Sequence, residues 1–373
     1  MRVIRAIVVL ASAAVLILSC GEDGSSPTGP EGEVRSFALG FTGFPHALSG
    51  QAVVDAHEVI RRDADMAVMH FDDGIPWQEA LTGAPYDQDY LNGFVARAGM
   101  ILPSHLTYLA ITPIGLGRAS LAGHRGAAPN EPLEAPWDSY AFDAPQVTAA
   151  FVAHCNKLID IFSPDYFAYA IEANILYELA PEKWTAFVGF CRVVYPALKA
   201  SHPNLPIFLT IHADTYHGDP ADQGGAIAML LSYTDMVAVS TYPFTAPRSD
   251  PGTIPGGWFS DLAALAPAKP FAVSETAWPA EDVTPPAPIS VIATPETQRA
   301  YTERLLAEAD SLQARFVVWF FTRDYDEFWE TYMQYIPEAW LVRLWKDSGM
   351  YDGAGSPRPA LTVWRTALAR PRG

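Results

Sequence analysis

The chain has 373 residues and carries 42 acidic against 24 basic side chains, for a net charge of −18. Such a surface repels phosphate backbones and anionic lipids, which excludes nucleic acid as a partner and disfavours a polyanionic substrate, while neutral polymers are indifferent to it. Three cysteines with no Cys-x-x-Cys pair give zinc or dithiol chemistry no motif.

In chain order, Arg2 and Arg5 precede an apolar stretch from Ala6 to Leu18, followed by Ser19 and Cys20. This is the pattern of a signal peptide, too short and too early for a spanning helix. Ile17-Leu18-Ser19-Cys20 also resembles the bacterial lipobox, which implies acylation of Cys20 and an extracytoplasmic, membrane-anchored protein. Residues 21–33 have almost nothing apolar to bury and read as a flexible tether. The expected division is therefore a signal over 1–19, a tether over 20–33 and one domain over 34–373.

Eight short apolar runs begin near Phe37, Met66, Leu106, Tyr166, Ile207, Met236, Phe271 and Phe316. Most are too continuously apolar for a sheet with one wet face. Helical patterns lie between them over Ala52–Asp63, Asp89–Met100, Val147–Phe162, Lys183–Leu198, Gly225–Ser232 and Pro295–Ala314. Strands alternating with helices predict an α/β fold, a closed (β/α)₈ barrel in one domain. The rival, an open doubly wound sheet, lacks a Gly-x-Gly-x-x-Gly turn. The long segment from Gly115 to Gln146 after the third run reads either as a cleft wall formed by its distal part or as a disordered insertion. Cys155 and Cys191 fall in helices flanking the fourth run, where a disulfide and two buried thiols both fit.

Chemistry concentrates at two strand ends. Glu172 closes the fourth run and Glu275 the seventh, and catalytic groups in such barrels sit where strands end. Two carboxylates brought together across the mouth are what retaining glycoside hydrolysis needs, at about 5 Å apart against 6.5–9.5 Å for inversion. The acid must be protonated near neutral pH, so its pKa must be raised, while the nucleophile stays ionised, with Tyr242 a candidate hydrogen-bond donor to Glu275. Trp77, Trp278, Trp319, Phe320 and Tyr242 near strand ends offer rings for sugar faces, Trp319 foremost. Trp329, Trp340 and Trp345 read as packing residues of a cap. His212 and Asp72 suit sugar hydroxyls better than a metal, although His212, Asp214 and His217, with His70, Asp72 and Asp73, form a competing metal reading. A structural calcium on loop aspartates is a further alternative.

Val273-Ser274-Glu275-Thr276-Ala277-Trp278-Pro279 resembles the nucleophile segment of family 53 endo-β-1,4-galactanases and family 17 β-glucanases, both clan A glycoside hydrolases. Ser240-Thr241-Tyr242-Pro243-Phe244 and Val318-Trp319-Phe320 are similar to the sixth- and eighth-strand segments of such enzymes, and the looser likeness runs from Phe37 onward. The resemblance implies Glu172 as acid/base, Glu275 as nucleophile, no cofactor, no metal and a monomer acting on a neutral polysaccharide. One departure is Ile171, which stands where clan A enzymes carry an asparagine; Asn174, two positions after Glu172, is the candidate replacement on the same strand face. That departure motivates the alternative of a carbohydrate-binding lipoprotein without turnover.

Overall fold

The computed structural model describes residues 34–331 and 340–373 apart from 247 and 286, so the signal segment, Cys20 and the tether lie outside the described residues. Eight parallel strands close into one barrel: β1 (Ala38–Thr42), β2 (Met66–Phe71), β3 (Leu106–Ile111), β4 (Tyr166–Ala170), β5 (Ile207–His212), β6 (Val237–Thr241), β7 (Phe271–Thr276) and β8 (Phe316–Trp319). The last closes on the first with Leu39 opposite Val317 and Phe41 opposite Trp319. The α/β barrel expected from the alternation is the fold observed.

Helices follow the strands: α1 (Gly50–Asp63), α2 (Trp77–Thr82), α3 (Gln88–Ala98), α4 (Pro145–Phe162), α5 (Ala173–Leu179), α6 (Trp184–Ser201), α7 (Ala213–Gly218), α8 (Pro220–Ala228), α9 (Ser260–Ala263), α10 (Pro295–Ser311), α11 (Asp326–Thr331), α12 (Trp340–Trp345) and α13 (Pro359–Leu368). Their starts follow local chemistry. Thr294 forms a reciprocal capping box with Thr297 and Pro295 opens α10, while the Asp219 carboxylate caps α8 ahead of Pro220. That cap starts α8 five residues before the expected Gly225. Among the described residues no helix is long and apolar enough to cross a membrane.

Strand alternation splits the core in two. Ala38, Met66, Val68, Tyr108, Ala168, Phe208, Ala272, Phe316 and Val318 fill the barrel interior, while Leu39, Phe41, Leu109, Phe167, Leu209, Val239 and Val317 face the helices. At the bottom, Arg35 fixes the entering chain: its guanidinium donates to both oxygens of Asp65 at 2.7 and 2.8 Å and to the carbonyls of Leu368 and Arg370. Arg35 also pairs by backbone with Arg372, so the two ends of the domain run side by side.

The segment after β3 is folded, not disordered. It bridges Ile114 to Leu121 and His124 to Glu131, and zips onto the β2 loop through Ile75 and His124. Gly74 lies in that seam at φ +104°, where a Cβ would stand 2.8 Å from the carbonyl oxygen of Gly123. The segment thereby walls one side of the barrel mouth and carries Arg118 into it.

Candidate active site

Glu275 owes its aim to a bulge. Val239 pairs with Val273 but Ser240 pairs with Glu275, so β7 slips by one residue and turns the carboxylate into the mouth. There the Tyr242 hydroxyl donates a hydrogen bond to Oε1, and Nδ1 of His70 stands 3.3 Å from Oε2. Burial alone would lower the His70 pKa, but the hydrogen bond and charge of Glu275, with Asp72 nearby, outweigh it and raise it.

Glu172 is delivered differently. A register shift between Ala168 and Ala170 ends β4, and Glu172 adopts the left-handed conformation, φ 51° and ψ 45°, before α5 begins. Its amide donates to Thr210 Oγ1 at 2.8 Å. Arg118 Nε and Nη2 both reach Oε2, at 3.1 and 3.0 Å, and Ser240 Oγ donates to Oε1 at 2.7 Å. Burial would raise this carboxyl, but the Arg118 charge, then His212 and the Ser240 hydrogen bond, outweigh it and hold the pKa at about 2. The sequence-based expectation was the opposite, a raised pKa. Arg118 reverses it, and nothing in the spacing of a distant loop residue announces that contact.

The bulge in β4 also revises the reading of Ile171, which packs inside the barrel. Asn174 does not replace a sugar-binding amide: it is fully buried, accepts from the His212 amide at 2.7 Å, and donates to the His212 carbonyl and Gln223 Oε1. Alternation fails there because the strand has already ended and residue 174 belongs to a helix.

Three tryptophans expected at the sugar are core residues instead. Trp319 is 0% exposed, bonds Ser348 O through Nε1 at 2.8 Å and packs on Tyr301 and Trp364 between the barrel and its helices. Trp278 stacks on Tyr301, and Trp77 stacks on Trp137 with Nε1 on the Ala122 carbonyl; both are 0% exposed. The rings at the mouth are those of Phe320, one residue beyond β8, with Phe44, His70, Tyr242 and Trp345. Trp345, expected to be packing, lies 5.3 Å from Tyr242 and is half-buried. The side chain of Trp340 lies outside the described residues.

Asp72 stands 3.5 Å from Arg118 Nη2, and His212 acts on Glu172 through space while its Nδ1 meets Thr215. Among the described residues no three members of the competing metal sets converge, although His212 Nε2 lies 3.7 Å from Asp214 Oδ2. Asp73 pairs with Arg125, Asp214 accepts from Thr241 and the Tyr242 amide, and His217 stacks on Trp258. Among the described residues the closest acidic trio is Glu281, Asp324 and Asp347, and Arg358, Arg343 and Lys346 already occupy those carboxylates. Cys155 and Cys191 are free, buried thiols, and burial raises both pKa values, that of Cys191 to about 12.

No protein-family model and no curated protein sequence matches the chain. Solved structures share its fold. GH5_18 from Streptomyces cattleya in complex with GlcNAc superposes with a TM-score of 0.64 at 15% identity, covering 91% of this chain and 81% of that one. The exo-β-1,4-mannosidase Op5Man5 from Opitutaceae bacterium strain TAV5 gives 0.60 at 14% identity, covering 90% and 59%. The GH53 catalytic domain of Ignisphaera aggregans gives 0.51 at 17%, covering 84% and 88%. The chain thus shares the (β/α)₈ fold of these structures, the GH53 domain being one neighbour among several.

Proposed function

We propose that this chain is a retaining β-glycosidase acting on a neutral polysaccharide, endo-β-galactanase-like in its finest reading, and anchored outside the cytoplasm through acylated Cys20. The observation that carries the reading is that Ser240 bonds Glu172, at the end of β4, and pairs with Glu275 on β7, whose carboxylate Tyr242 holds. Among the described residues, Asp72, Glu172, Asp214 and Glu275 gather near the Arg118 guanidinium, so carboxylates outnumber it there, which supports a neutral sugar over a uronic acid.

In this mechanism Glu275 attacks the anomeric carbon while the glycosidic bond breaks and Glu172 gives its proton to the leaving oxygen. Water then attacks the glycosyl-enzyme, Glu172 takes its proton, and the bond to Glu275 breaks. The Tyr242 hydrogen bond orients the nucleophile. Reducing-sugar release from β-galactan, β-mannan, β-glucan and xylan by the parent, lost by several orders of magnitude in Glu275→Gln, is the expected result.

The Arg118–Glu172 pair favours a second reading, a carbohydrate-binding barrel without turnover, because a carboxyl held at about 2 is ionised at neutral pH. Polymer binding by parent and variant alike, with no sugar released by either, would select it.

A further inference from the structure

The ion pair and the glycosidase mechanism make opposite demands on Glu172. Several features bear on how both are met. Arg118 and Glu172 are each non-glycine residues in the left-handed region, at φ 55° and 51°, a conformation that surrounding structure must impose. The Arg118 backbone is pinned: its amide donates to the Gly115 carbonyl at 2.7 Å, within a turn closed by Gly115 and Ser120. Any movement therefore belongs to the side chain. A second carboxylate is already within reach, since Asp72 Oδ2 lies 3.5 Å from the Nη2 that holds Glu172 at 3.0 Å. Nη1 has no hydrogen-bond partner among the described residues, leaving a donor for a new contact. The Asp72 side chain is 24% exposed against 12% for Glu172, so the alternative partner sits nearer water.

We propose that Arg118 is a positioning residue acting through Glu172: its guanidinium holds that carboxylate in the free protein and moves onto Asp72 when a sugar enters, freeing Glu172 to act as acid. The proposal rests on the glycosidase reading. Once released, Glu172 takes a proton from solvent and passes it to the glycosidic oxygen as the glycosidic bond breaks and the bond from Glu275 to the anomeric carbon forms. It regains a proton from the hydrolytic water, which supplies the hydroxyl that replaces Glu275. When product leaves, the proton returns to solvent and Arg118 returns to Glu172. Released Glu172 is then faced by Ser240, Tyr242 and His212, with Glu275 across the mouth and His70 on that residue. Burial, which Arg118 had outweighed, raises its pKa.

The test follows the carboxyl itself. Glutamate side chains of the protein are labelled with ¹³C, Glu172 is assigned with Glu172→Gln, and its titration is followed alone and with β-1,4-linked galactobiose, mannobiose, cellobiose or xylobiose. In the parent the midpoint is expected to be low and to rise by about one to three pH units with a sugar that binds. In Arg118→Met it should be raised already and unmoved by that sugar, while Arg118→Lys restores a low midpoint and serves if Arg118→Met fails to fold. A midpoint that a bound sugar leaves unchanged, or an Arg118→Met protein that titrates like the parent, overturns the proposal. If no disaccharide binds and no polymer is cleaved, the glycosidase reading fails and sugar-driven release with it. The comparison of Arg118→Met with the parent still decides separately whether Arg118 holds the carboxylate.

Discussion

Tyr242, at the end of β6, donates its hydroxyl to Oε1 of Glu275, on neighbouring β7, and the bulge that pairs Ser240 with Glu275 makes this contact geometrically available. The phenol holds one carboxylate oxygen in place, while His70 Nδ1 stands 3.3 Å from the other. Removing the Tyr242 hydroxyl leaves the ring in place against Phe244 and Trp345. Tyr242→Phe should therefore keep its thermal midpoint within a few degrees and lower kcat/KM by about 10- to 100-fold, the worth of one charge-assisted hydrogen bond. Steady-state kinetics beside a melting curve check both halves, and an unchanged kcat/KM would contradict the role given to Tyr242.

His70 couples the site to pH. Its pKa is raised above 6.5, so protonation favours the folded state. The stabilisation it supplies is full below about pH 6.5 and is lost as pH rises through the folded-state value. The stability difference between the parent and His70→Asn, read from urea midpoints, should accordingly shrink from about pH 6 to pH 9. A difference constant across that range would show that His70 contributes by packing alone.

Phe320 and Trp319 are adjacent but should fail in different assays. Trp319 is wholly buried between barrel and helices, so Trp319→Ala should cost about 3–5 kcal/mol of stability. Phe320 is half-buried among Phe44, Tyr242 and Trp345, and Phe320→Ala should mainly weaken sugar binding, raising KM or Kd by about tenfold. Chemical unfolding and sugar titration of the two variants side by side separate the roles.

Arg35→Ala should be among the most destabilising surface-proximal changes. The Arg35 side chain is 3% exposed, and its loss strands Asp65, which also accepts from the Leu39 amide at 2.9 Å. A cost of about 3–5 kcal/mol is expected from denaturant unfolding, the range for breaking a buried pair on one side.

Strand runs and their order were legible because a barrel strand buried on both faces is a continuous apolar segment, and Glu275 was legible because it ends one of them. What alternation could not deliver was orientation beyond a bulge or a strand end. Asn174 was counted along a strand that stops at Ala170, and Trp319 sits on a four-residue strand where one step separates the helix-facing layer from the mouth. Phe320 is that one step. Arg118 was illegible for another reason: its contact with Glu172 depends on how a thirty-residue loop folds back, which no local pattern encodes. A wall was within reach of the loop's length and composition, but the expectation fell on its distal part, where Trp137 packs on Trp77, whereas Arg118 enters from near its start.

The pairing of Arg35 with Arg372 beneath the barrel also sets a direction. Chain arriving from upstream of Val34 joins on the floor, at the opposite pole from Glu172 and Glu275. Were the proposed acylation of Cys20 to hold the chain at a surface, the attachment would enter the barrel at the pole opposite Glu172 and Glu275, leaving the mouth clear of it.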